Sequence, residues 1–144
     1  MDDGLSHITS VQSTFHPEKA FAYLSDLSQI LNWNFNLAEV RMVESHIAKG
    51  ILKQNGESIL IRVSLDQEMK IVHFHLGSTL NELTPRIMIR ILPDPSSESK
   101  KSGCLISMIA WRTKEMNDER WRGLKASHEY EILKIKAWLE SKEK

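Results

Sequence analysis

What the chain has little of sets the first limits. Cys104 is its only cysteine among 144 residues, so no disulfide closes within the chain and no multi-cysteine zinc site forms. It stands in an apolar run, Cys104-Leu105-Ile106, and reads as an inert core thiol. Charge of one sign is missing too. The 19 Lys and Arg balance 19 Asp and Glu, which removes the basic field that draws nucleic acid or anionic lipid. No window approaches the ~20 apolar residues of a membrane span. The start, Met1-Asp2-Asp3-Gly4, is acidic and carries no secretory signal. These absences predict a cytosolic protein, monomer or homodimer, that neither inserts stably into membranes nor binds nucleic acid. The six glycines form neither GxGxxG nor a Walker pattern, and neither a nucleophile elbow nor HExxH is present, so no cofactor and no metal are expected.

What is there reads as one domain over residues 1–144. Leu5 to Phe15 carries Ile8, Val11 and Phe15 among Ser and Thr, the composition of a strand. Pro17 suits a helix start, and Ala20, Phe21, Leu24, Leu27 and Leu31 follow at helical spacing; Asp26 or Ser28 caps a second short helix ending near Trp33. Short apolar runs broken by turn residues then predict six strands, near 38–45, 47–54, 57–65, 68–76, 85–92 and 103–113. Asn55-Gly56 supplies the two positive-φ positions of a tight type I′ hairpin between the second and third of these. Pro93 to Gly103 is a polar loop. About Asn117 to Ser141 a long helix carries the stripe Trp121, Leu124, His128, Ile132, Ile135 and Leu139. The class is α+β, in the order β-α-α-β6-α, and the last helix is the only adequate cover for the sheet's apolar face.

That order, with the run Phe15-His16-Pro17 through Asp26 to Trp33-Asn34, resembles the helix-grip fold of the START-like (SRPBCC) superfamily. Pro17 opens the helix, Phe21 stands at the family's aromatic position, Asp26 at its aspartate and Trp33 at its closing tryptophan. The carboxyl end is similar as well, through Leu124, Leu133, Lys134 and Leu139-Glu140. Ser102-Gly103-Cys104-Leu105 keeps the family's glycine ahead of the last strand but loses its threonine, which leaves the subfamily open. The relatives include polyketide cyclases, pathogenesis-related proteins, coenzyme Q-binding proteins and activators of a heat-shock chaperone ATPase. The resemblance implies a seven-stranded curved antiparallel sheet wrapped around the C-terminal helix, with a cavity for a lipid, polyketide or other apolar metabolite between them.

The candidate ligand-binding residues are Trp33, His73, His75, Ile89, Trp111, Trp121, Leu124, His128 and Ile132. His128, inside the apolar stripe, is also the candidate acid or base, because its ordinary pKa is near neutrality. The bland reading of it is a core histidine satisfied by a neighbour. His73 and His75 share one strand face with Met69 and Ile71; Lys70 argues that its own face, with Val72, Phe74 and Leu76, looks outward. Arg86 and Arg90 alternate with Ile87, Ile89 and Ile91, a pattern of solvated arginines and inward isoleucines, the alternative being an arginine turned in to pair a ligand carboxylate. The tryptophans are ligand wall or plain packing. Three functions follow: binding or transport of a small hydrophobic ligand; a cyclase, dehydratase or hydrolase using His128; or a protein-interaction module of the chaperone-cofactor kind.

Overall fold

The computed structural model describes residues 4–94 and 103–143, so Met1–Asp3 and most of the polar loop read between Pro93 and Gly103 lie outside the described residues. Strand β1 (Ser6–Ser13) is followed by α1 (Pro17–Ser25), a 3-10 helix (Leu27–Asn32), β2 (Leu37–Glu44), β3 (Ile47–Leu52), β4 (Ser58–Asp66), β5 (Ile71–Gly77), a 3-10 turn (Leu80–Glu82), β6 (Thr84–Pro93), β7 (Cys104–Trp111) and α2 (Asp118–Ser141). The predicted order holds, except that the second helix is 3-10 and the short turn at Leu80–Glu82 was not anticipated.

Local chemistry explains the boundaries. His16 caps α1 by accepting from the Glu18 amide at 3.2 Å, with Pro17 in the first turn. Asp26 ends that helix and caps the next, accepting from the Ser28 amide at 3.0 Å. Asn117 caps α2 through the Arg120 amide at 2.8 Å, and Asp118 and Glu119 favour the positive helix start.

All seven strands pair antiparallel in the order β1-β7-β6-β5-β4-β3-β2. β1 and β2, close in sequence, therefore form opposite edges. The helical pair between them must cross the sheet, and it does so on the face that also carries α2. The 24 residues of α2 run about 36 Å. Its C-terminal half buries Ile132, Ile135 and Leu139 in the main core with Trp33, Phe74, Ile89 and Ile106. Its N-terminal half contributes Trp121 and Leu124 to a separate small cluster with Ala110 and Met116. Two cores, not one, flank the middle of the helix.

Three expectations need correction. The β3–β4 hairpin turns through residues 53–56, and Gly56 alone there has positive φ, at 73°; the Asn55 side chain instead accepts from the Glu57 amide at 3.0 Å, so the turn is wider than type I′. β5 begins at Ile71, because Lys70 adopts a left-handed φ of 55° in the preceding turn. Lys70 therefore does not set the strand's parity: Val72 and Phe74 are buried, and His73 and His75 face outward. Finally, β6 is not a regular strand. Phe74 pairs with Ile87 and His75 with Pro85, leaving Arg86 as the extra residue of a bulge.

Candidate functional site

Between the N-terminal half of α2, the 3-10 segment and strands β3 to β7 lies a cavity of about 800 Å³. Trp33, Ile61, Phe74, Ile87 and Leu124 give it apolar walls, while Lys53, Asn117, Glu119 and Arg120 stand at its mouth. Of the predicted ligand residues, Trp33, Trp111, Trp121, Leu124 and His128 border it. Ile89 and Ile132 do not; both are spent in the packed core. His73 and His75 are excluded by the parity of β5. Their rings stack on the outer face with centroids 6.3 Å apart, and burial followed by the Arg62 charge lowers the His75 pKa. Among the described residues no group of three or more His, Cys, Asp or Glu is placed to hold a metal ion.

The polar side of the cavity rests on α2. His128 is 4% exposed, and one turn further Glu131 is fully buried. One carboxylate oxygen of Glu131 accepts from the Phe35 amide at 2.7 Å; the other lies 3.9 Å from Nε2 of His128. Burial pushes the Glu131 carboxyl up to about 7, with the Phe35 amide and Lys134 pulling the other way. Burial, reinforced by the positive fields of His7 and Arg86, lowers His128 to about 4. At neutral pH the imidazole is therefore uncharged, and the pair is not an ion pair despite its spacing. His7, on the inward side of β1, sits 3.8 Å from Glu129.

Three buried polar atoms here lack a hydrogen-bond partner among the described residues: Nε1 of Trp121, Nδ1 of His128 and Oε1 of Glu131. Interiors rarely leave such atoms unpaired. Half-buried Arg86 lines the same cavity, because the bulge in β6 turns its side chain to the wall, against the expectation that it is solvated. Burial lowers its pKa, Arg120 adds to the lowering and Glu115 opposes it. The site thus brings Trp121, His128 and Arg86, each able to donate a hydrogen bond, to a chamber with aromatic and aliphatic walls.

The strand order, the sheet's antiparallel register and the helix laid across one face decide the fold. It is START-like. The chain superposes on a START superfamily protein from Mycobacterium smegmatis with a TM-score of 0.70 at 12% identity, over 96% of this chain and 99% of that one. It is as similar to the Zhui aromatase/cyclase from Streptomyces sp. R1128, with a TM-score of 0.70 at 10% identity over 96% and 95% of the two chains. Protein XoxI from Bacillus cereus gives 0.70 at 12% identity over 96% and 98%. No family model matches the sequence, and no curated protein is similar to it. The START-like likeness is thus one of architecture.

Sequence reasoning missed Glu131 and His7, and held the inward turn of an arginine only as the alternative to a solvated one. Glu131 had a signal: it falls three residues after His128 and four before Ile135, on the apolar stripe itself. His7 shares its strand face with Thr9, Val11 and Ser13, an alternation that marks the inner side of β1. Arg86 had only an indirect one, Pro85 beside it, because a proline within a strand favours a bulge.

Inside the START-like frame a second hollow, about 1020 Å³, is an open trough at the far end of α2, lined by Thr14, His16, Lys19, Tyr23 and Lys142 among others. The clasp beside it is structural. Ser13 Oγ and Lys136 Nζ donate to Glu140 Oε2 at 2.9 and 2.7 Å, and Lys136 also donates to the Gln12 carbonyl at 2.9 Å.

Proposed function

We propose that this chain binds a small hydrophobic molecule, a lipid, polyketide or other apolar metabolite, in the cavity between the sheet and α2. The observation that carries the reading is the cavity itself: about 800 Å³, with aromatic and aliphatic walls and polar groups such as Asn34, Arg86 and His128 set among them. That is the usual composition of a small-molecule site, where apolar burial supplies affinity and the polar groups select. Fold neighbours that include an aromatase/cyclase and a START superfamily protein support it. The reading extends to a cytosolic protein working as a monomer or homodimer without a cofactor. Among the described residues no helix is long and apolar enough to cross a membrane.

The test uses 1-pyrenebutanol, a neutral apolar probe whose absorbance overlaps tryptophan emission. Saturable one-to-one quenching in the wild type, weakened at least about tenfold by Leu124→Trp, is expected, because the larger ring fills the chamber. Absence of saturable binding, or binding indifferent to Leu124→Trp, overturns the reading.

One observation favours a second reading, a cyclase, dehydratase or hydrolase. Glu131, held near pKa 7 one turn from His128, is a carboxyl able to give or take a proton near neutral pH. The interaction-module reading called for a filled interior, and the cavity supports ligand binding in its place.

A further inference from the structure

A strand residue at the parity of Arg86 belongs on the outer face, in water, with Met88 and Arg90. The bulge opposite Phe74 and His75 gives up regular ladder pairing and puts the guanidinium on the cavity wall instead. No hydrogen bond or ion pair among the described residues holds it there. A guanidinium carries five N–H donors in a rigid fork and accepts nothing, so a half-buried one on an apolar wall favours an anion. The exposed Glu115 opposes the lowering of its pKa only in part, and Arg120 at the mouth adds positive charge, with Glu119 the carboxylate beside it there.

Two further groups point the same way. Nε1 of Trp121 can only donate, it lies buried without a partner, and Trp121 lines the same chamber. The Nδ1 of His128 is also unpartnered, and a neutral imidazole can offer a proton at that nitrogen. Arg86, Trp121 and His128 thus bring donors to a chamber whose apolar walls include Trp33, Ile61 and Phe74.

We infer that the ligand is an amphipathic acid, whose carboxylate pairs with Arg86 at the β6 bulge while its apolar body packs against Trp33, Ile61 and Phe74. This rests on the hydrophobic-ligand reading and narrows it to a chemical class.

The test compares 1-pyrenebutyrate with 1-pyrenebutanol, which differ only in the carboxylate. Charge-assisted pairing makes the acid bind the wild type about tenfold tighter or more. Arg86→Met abolishes that preference and leaves the alcohol's affinity within about twofold, since the apolar contacts are untouched. Arg86→Lys keeps part of the preference. An acid that binds no tighter than the alcohol overturns the inference while leaving the hydrophobic-ligand reading intact, and so does a preference that survives Arg86→Met. Failure of both probes to bind overturns both. Should Arg86→Met not fold, the wild-type comparison and the Arg86→Lys variant decide the matter.

Discussion

Nε2 of His128 and Oε1 of Glu131 lie 3.9 Å apart, three residues along one helix, and burial drives both groups toward their uncharged forms. The two shifts act oppositely on stability. Glu131 has a folded pKa near 7 against 4.5 when unfolded, so its native proton is a source of stability that is lost as pH rises through 7. His128, near 4 when folded against 6.5 when unfolded, must stay neutral, and its contribution is lost as pH falls toward 4.

Glu131→Gln keeps the shape and removes the ionisation. Its stability relative to wild type should therefore improve by about 2 to 3 kcal/mol between pH 5 and pH 8. Urea unfolding at the two pH values measures this difference, and a difference that stays flat with pH would show that the carboxyl is not held protonated.

The Glu140 clasp gives a second prediction. Burial raises the pKa of this carboxyl, but donors from Lys136, Ser13 and the Thr14 amide outweigh it and leave the group below its ordinary range. Glu140→Ala and Ser13→Ala should each cost about 1 kcal/mol, and the double variant less than their sum, because both remove the same bond. Additive losses in thermal unfolding would mean that the two side chains act separately. The carboxylate's share of the stability is present at neutral pH and lost as pH falls through its depressed pKa.

Trp33 closes the 3-10 helix at 1% exposure, with its ring edge-on to Phe74 and centroids 5.8 Å apart. Trp33→Ala should cost about 3 to 5 kcal/mol in urea unfolding. Because Trp33 is also a cavity wall, Trp33→Phe should weaken 1-pyrenebutanol binding more than it weakens the fold.

Cys104 is fully buried, and burial raises its thiol to about 11, ahead of the Asp94 and Glu140 charges. Native protein should resist an aromatic disulfide reagent that reacts at once in urea, and native labelling should be limited by unfolding. Fast labelling of native protein would place the thiol at the surface.

The helices and the strand order were legible because caps and periodicity are local. His16-Pro17, Asp26 and Asn117 each announce a helix start within three residues. The candidate site was legible where it sits on those elements, at Trp33, Trp121, Leu124 and His128. It was misread where one backbone irregularity changed which way a side chain points. A left-handed Lys70 moved the start of β5 and put His73 and His75 outside, and one extra residue in β6 brought Arg86 in. Lys70 left no mark in composition, whereas the bulge left one, Pro85 beside Arg86, since prolines within strands favour bulges and edges.

The two cores give α2 unequal anchorage. Its last turns are buried in the large core and fastened through Glu140, while its first turns rest on Trp121 and Leu124 in the small cluster beside the chamber. Amide hydrogens over Ile132–Leu139 should then exchange only with global unfolding, and those over Trp121–Leu124 through cheaper local opening. A ligand in the chamber would bridge the two clusters and slow exchange chiefly at the first turns.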